Sequence, residues 1–127
     1  MTTVPRASFR PHERISDAKD FRRAFERRRS ASDASMVVYG VENNRDHPRL
    51  GISVSRKKVR DATARNRVKR LIREAFRLSK SELPAGLDFV VVPRGPKLTF
   101  AEARRALPIL AGDIARRLGT RAMKSPP

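Results

Sequence analysis

The stretch Arg65, Asn66, Arg67, Val68, Lys69, Arg70, Leu71, Ile72, Arg73, Glu74, Ala75, Phe76, Arg77 separates charged from apolar side chains with the period of a helix. At about 100° per residue, Asn66, Lys69, Arg70, Arg73 and Arg77 fall within about 100° of one another, and Val68, Leu71, Ile72, Ala75 and Phe76 take the opposite side. One face is built to enter a core and the other to offer cations at a spacing suited to phosphates. The wider segment 56–73 holds nine Lys or Arg (Arg56, Lys57, Lys58, Arg60, Arg65, Arg67, Lys69, Arg70, Arg73) against one acid, Asp61. Ordinary solvated basic faces carry interspersed acids; their absence points to a polyanionic partner. Arg65 and Arg67 sharpen the point. Cations in a first helical turn oppose the helix dipole at a cost of about 0.3 kcal/mol or more each, whereas guanidinium groups beside the free amides of a helix start make an anion site.

Working outward, the spacing predicts this helix over 62–79. Upstream, Ile15, Ala18, Phe21, Ala24 and Phe25 recur at three- and four-residue steps, so a first helix runs from about Ile15 to Arg28, capped by Ser16 or Asp17. Met36 to Val41 and Leu50 to Ser55 read as strands, and the turn-rich residues 43–48 between them suggest a hairpin. In the second strand Leu50, Ile52 and Val54 share one face. Gly51, Ser53 and Ser55 share the other, which is nearly bare and open to a ligand. Leu87 to Val92 is a strand whose run Val90, Val91, Val92 implies burial on both faces. Thr99 and Glu102 form a capping box for a last helix with the stripe Ala103, Leu107, Leu110, Ile114, Leu118 and a stop at Gly119. Pro108 inside it predicts a kink or two shorter helices. Residues 1–14 read as a flexible basic arm, 15–119 as a single domain and 120–127 as a tail.

The chain has 127 residues, with 30 Lys+Arg against 13 Asp+Glu, a net charge of +17. Leu, Ile, Val and Phe make up 30 of the 127, above the level of a disordered chain and enough for a modest core. The absence of cysteine excludes a disulfide framework, a thiolate zinc site and a cysteine nucleophile. No apolar run approaches the roughly 20 residues that span a bilayer, and the N-terminus lacks the apolar segment of a signal peptide, so the expected compartment is the cytoplasm.

The string from Arg65 to Arg77 resembles the arginine-asparagine-arginine signature of the bacterial ribonuclease P protein component. Asp20, Phe21 and Phe25, the strand Leu50 to Ser55 running into Arg56 and Lys57, and Asp88, Phe89, Val90, Val91 agree with it, over about residues 14–118. The resemblance implies an α+β fold, a two-layer sandwich ordered α-β-β-β-α-β-α. Its four-stranded sheet has a left-handed crossover, like the second domain of a small-subunit ribosomal protein. A short edge strand near 29–32 would supply the strand that periodicity does not show. The resemblance further implies an RNA-binding subunit, one per RNA, that is no catalyst itself. Its catalytic RNA partner hydrolyses precursor tRNA with Mg2+ held mainly by RNA and substrate, releasing the 5′ leader. Arg65, Asn66, Arg67, Lys69, Arg70 and Arg73 would contact the RNA subunit. Phe21, Phe25, Tyr39, Ser53, Arg56 and Lys57 would line the cleft for the single-stranded leader.

The residues themselves bear on this. Spacing alone makes Phe21 and Phe25 core residues, whereas Tyr39, in phase with Val37 and Val41, can stack on a base with its hydroxyl wet. Such stacking contributes roughly 1–3 kcal/mol and tolerates sequence change. A self-sufficient nuclease is disfavoured. His12 and His47, in the arm and the loop, have no reason to converge on an acid/base pair, and the acids are too dispersed for a protein-held two-metal site. The alternative is a basic ribosomal or RNA-packaging protein without a role in tRNA processing. Membrane-surface binding ranks third, because the Asn66 face has too little apolar surface.

Overall fold

The computed structural model describes residues 9–118; the expectations for residues 1–8, for Gly119 and for the tail 120–127 lie outside them. Seven main elements follow in the order α-β-β-β-α-β-α: α1 (Ala18–Arg27), β1 (Ser30–Ser32), β2 (Met36–Glu42), β3 (Arg49–Ile52), α2 (Ala62–Ser79), β4 (Leu87–Pro93) and α3 (Phe100–Arg117). The edge strand expected near 29–32 is β1. Each helix starts on a side chain suited to the task. Asp17 accepts from the Lys19 N–H at 3.0 Å and Asp61 from the Ala64 N–H at 3.0 Å. Thr99 and Glu102 bond reciprocally at 3.2 and 3.0 Å as a capping box. α3 runs unbroken through Pro108, so of the kink or two shorter helices expected there, the two shorter helices do not form. A proline costs about 3 kcal/mol in a helix interior, while burying Leu107, Leu110 and Ile114 returns about 1.5–3 kcal/mol each.

The strands form one mixed sheet in the order β1-β2-β4-β3. β2 and β3 are not a hairpin. Both pair with β4, β2 antiparallel and β3 parallel, and β3 returns to β4 through α2, since parallel neighbours need a crossover connection. Residues 43–48 are no tight turn. They cross the end of β4, and Asn43 holds the crossing by donating to the His47 carbonyl (3.2 Å) and to Asp88 (2.8 Å). β3 ends at Ile52, before the expected Ser55. The Ser53 N–H still donates to the Val91 carbonyl at 3.0 Å, and Ser55 Oγ then accepts from the N–H groups of Lys57 and Lys58 to turn the chain.

Alternation along β4 divides the core. Leu87, Phe89 and Val91 face the layer of α2 and α3, where Met36, Val38, Leu50, Ile72 and Phe76 join them. Sheet and α2/α3 layer make the expected sandwich. β2 and α3 approach so closely that a Cβ on Gly40 would stand 2.6 Å from an Ile114 methyl carbon. Val90, with Val41, Ile15 and Ala24, faces α1, which lies on the other side of the sheet as a third, partial layer.

Residues 9–14 are not a free arm. The Phe9 ring packs edge-on to Phe76 at 5.3 Å with the Arg14 guanidinium over it. Arg14 bridges to Leu50 beside β3. Buried Glu13 accepts from Lys80 Nζ at 2.8 Å and from the Arg10 N–H at 2.7 Å. One isolated aromatic and one isolated acid carry no periodicity, so this docking is invisible to pattern reading.

On the α1 side, Asp88 is fully buried. Its carboxylate accepts from Arg49 Nε at 2.8 Å and Nη2 at 2.6 Å, and from Asn43. Arg23 of α1 stands 3.6 Å from it, and Arg49 also meets Asp20 of α1 at 3.3 Å. The Asp88 bond keeps the Arg49 guanidinium more basic than usual. Leaving one member of a buried pair unmatched costs about 3–5 kcal/mol, whereas replacing both by apolar residues is often nearly neutral. Urea denaturation should therefore show Asp88→Ala losing about that amount and Asp88→Leu combined with Arg49→Met losing less; equal losses would contradict a buried pair.

Candidate nucleic-acid interface

α2 is half-buried as its periodicity requires. Val68, Ile72, Ala75 and Phe76 are buried, and Leu71 is half-buried. On the outward side Asn66, Arg70 and Arg73 are exposed and Lys69 is half-buried. Among the described residues, Arg65, Arg67, Lys69, Arg70 and Arg73 form no ion pair with a carboxylate. Arg77, at the far end of the strip, pairs with Glu74, and that bond holds the Glu74 carboxyl below its usual range. The uncompensated charge therefore lies in the first three turns of α2.

Arg65, in the first turn of α2, and Arg67, in its second, have a structural task that sequence reasoning missed. Arg65 Nη1 donates to the carbonyls of Val59 (3.0 Å) and Arg60 (2.9 Å), and Arg67 donates to those of Leu98 (3.4 Å) and Pro96. They gather the loops before α2 and before α3 around the helix start. Carbonyls take donors without cancelling charge, so both guanidinium groups keep their full positive field.

The aromatic set lies on the opposite side of the sheet. Strand register arranges the α1-facing side chains in rows: Val41, Asp88, Arg49, then Ser30, Tyr39, Val90, Gly51, then Ser32, Val37, Val92. α1 covers the first two rows. Phe25 meets Tyr39 edge-on at 4.9 Å, and Phe21 lies over Gly51, where an added Cβ would stand 2.8 Å from its ring. The bare strand face expected to be open to a ligand is therefore covered at Gly51; its missing side chain makes room for a phenyl ring. The third row is less covered, and Val37 and Val92 stay half-buried. Ser53 continues this row from β3, and exposed Arg56 and Lys57 follow at the same end of the sheet. Phe21, Phe25 and Tyr39 thus stand one strand row from the half-buried pair Val37 and Val92, an apolar neighbour that sequence reasoning missed. Their alternation with Met36 and Val38 showed the face but not that α1 would stop short of them.

Phe21 also joins the two surfaces. A cleft of about 130 Å³ is lined by Arg14, Phe21 and Gly51 from one side and by Lys69 and Arg73 of α2 from the other. A larger hollow, about 540 Å³, lies apart from the aromatic set, between residues 33–35, the loop 94–98 and the start of α3.

The histidines do converge, contrary to expectation. Their rings meet edge-on at 5.0 Å because residues 9–14 fold back onto the 43–48 connection. Both ring nitrogens of His47 are engaged, Nδ1 with Asp46 at 3.0 Å and Nε2 with the His12 carbonyl at 3.1 Å, so the contact is a clasp between two segments. Among the described residues no three His, Cys, Asp or Glu side chains stand together as metal ligands, and no helix is long and apolar enough to cross a membrane.

Known proteins share this fold. The ribonuclease P family profile matches residues 9–114. The ribonuclease P protein component of Photorhabdus laumondii is 39% identical over 104 residues, covering 82% of this chain and 85% of that one. That of Methylococcus capsulatus is 42% identical over 90 residues, 71% of this chain and 70% of its own length. The solved RNase P protein of Thermotoga maritima superposes with a TM-score of 0.69 at 36% identity, covering 79% of this chain and 96% of that one. For that of Staphylococcus aureus the values are 0.65 and 30%, with 88% and 98% covered. With a basic helix, a mixed sheet and a sequence match that runs through nearly every described element, the chain belongs to the ribonuclease P protein component family.

Proposed function

We propose that this chain is the protein subunit of a ribonuclease P. It binds a catalytic RNA subunit, one protein per RNA, and the 5′ leader of precursor tRNA, and so assists leader removal in the cytoplasm. The observation that carries the reading is the junction at Phe21. There a small cleft joins Lys69 and Arg73 of the cation strip to Phe21, beside which Phe25 and Tyr39 pack ring to ring, and we read these as a phosphate-binding surface and a base-stacking surface side by side.

The division of labour follows from the chemistry of each surface. Asn66, Lys69, Arg70 and Arg73 present a dense positive strip to folded RNA, with Arg65 and Arg67 shaping its start and adding their charge. Tyr39 and the phenyl rings offer faces to unpaired bases, and Val37 and Val92 give them an apolar floor. Ser53, Arg56 and Lys57 supply polar and cationic partners where the strand would leave. A floor without base-edge donors or acceptors reads little sequence, which suits leaders that differ between tRNAs. Nothing described on this chain fits as a Mg2+ site, since no acidic cluster exists and the strip repels cations; we assign Mg2+ to the RNA subunit and its substrate. A ribosomal or packaging role would use the strip but leaves the aromatic groove unexplained.

The deciding experiment is reconstitution. The purified protein should leave precursor tRNA intact, yet restore cleavage by an added ribonuclease P RNA at low Mg2+. Robust cleavage by protein alone would refute the assignment.

Salt dependence tests the strip. Arg70→Ala and Arg73→Ala should each flatten the dependence of log affinity for the RNA subunit on log salt by about one unit, and an unchanged slope would place the interface elsewhere. For the groove, Tyr39→Ala should weaken binding of precursor tRNA by the reconstituted enzyme by roughly 1–3 kcal/mol without affecting mature tRNA. Equal losses for both tRNAs would make Tyr39 a packing residue only.

A further inference from the structure

The groove depends on where α1 sits, and two charged side chains of α1 tie it to the sheet. Asp20 meets Arg49 at 3.3 Å; Arg23 donates to the Glu42 carbonyl at 2.8 Å and stands 3.6 Å from Asp88. Arg49 and Asp88 are themselves locked, being bidentate, buried and backed by Asn43. The anchors are thus rigid elements of β3 and β4, and they stand one row away from Tyr39, Val90 and Gly51. Phe21 and Phe25 alternate with Asp20 and Arg23 in sequence, so any slide of α1 along the sheet moves both rings. The apolar cluster beneath α1 is small: Ile15, Ala24, Val41 and Val90 are buried, with Phe21, Phe25, Tyr39 and Val92 packed against them. Apolar burial is non-directional, so these contacts hold the helix down without fixing its direction. Ion pairs of defined geometry supply that.

From this geometry we propose that Asp20 and Arg23, acting through Arg49 and Asp88, are positioning residues for the leader groove. They set the height of the phenyl rings beside Val37 and Val92 and hence the preference for precursor over mature tRNA. The inference rests on the leader-binding reading above. Asp20 and Arg23 are partly exposed, so changing them leaves no buried charge unmatched.

The test uses enzyme reconstituted with a ribonuclease P RNA and carrying Asp20→Asn, Arg23→Gln or Asp20→Glu. Each neutral substitution should lower the precursor-to-mature affinity ratio about threefold, in line with a partly exposed ion pair. Affinity for the RNA subunit and the melting temperature should stay at wild-type values, and Asp20→Glu should retain most of the preference. Tyr39 is the sole tyrosine and the chain lacks tryptophan, so near-ultraviolet dichroism of the protein without RNA reports the surroundings of Tyr39, Phe25 among them, and should change in the neutral variants. An unchanged ratio in both neutral variants overturns the proposal, as does a uniform loss of binding to precursor, mature tRNA and RNA subunit. Tyr39→Ala separates the levels. If it lowers the ratio while Asp20→Asn and Arg23→Gln do not, only the positioning claim fails. If wild type and Tyr39→Ala show no preference at all, the leader-binding reading fails and this inference with it.

Discussion

A carboxylate shut off from water has to be matched, and Asp88 is matched by groups from three other elements. Arg49 reaches it from β3, Asn43 from the end of β2 and Arg23 from α1. The architecture meets this requirement at several points. With β4 between β2 and β3, one carboxylate collects donors from both neighbours. The 43–48 connection passes over the end of β4 and is held there through Asn43, and α1 is tied to the same carboxylate through Arg23.

The two faces of that sheet serve different ends. One is sealed by α2 and α3 and holds most of the apolar core, so α2 can spend its outer side on charge. The other carries only one short helix, which leaves part of the sheet uncovered beside a row of aromatic rings. The acids explain why the positive field survives. Asp17, Asp61 and Glu102 cap helices; Glu13, Asp20, Glu82, Asp88 and Asp113 pair with cations away from the outward side of α2. On α2 itself only Glu74 answers, and it takes Arg77. Arg70 and Arg73 are left to meet phosphate.

Arg65 and Arg67 show how a residue can belong to both structure and function. Arg65, in the first turn of α2, opposes the helix dipole and Arg67 follows it in the second, yet each secures a neighbouring loop through backbone carbonyls. The charge then stands at the mouth formed by those loops, held in place by bonds that do not neutralise it.

What could be read from the chain alone were the features set by near neighbours in sequence. The limits of α2 agree with its period, the start of α3 with the Thr99 and Glu102 box, and the sorting of Met36 and Val38 from Val37 and Tyr39 with strand alternation. These depend on helix and strand geometry within a few residues, so local pattern suffices. The missed features share another cause. The separation of β2 from β3, the return of Phe9 to Phe76, the meeting of His12 with His47 and the ring of Phe21 above Gly51 are all contacts between distant segments. Alternation tells which side of a strand a residue occupies but not which strand or helix lies against it. Sequence determined the cationic strip and the facing of the aromatic residues; the tertiary structure decided that they meet at Phe21 and that Val37 and Val92 stay partly uncovered. The physical reason is that burial is a property of whichever surfaces finally pack together, and no pattern within a few residues specifies which those are.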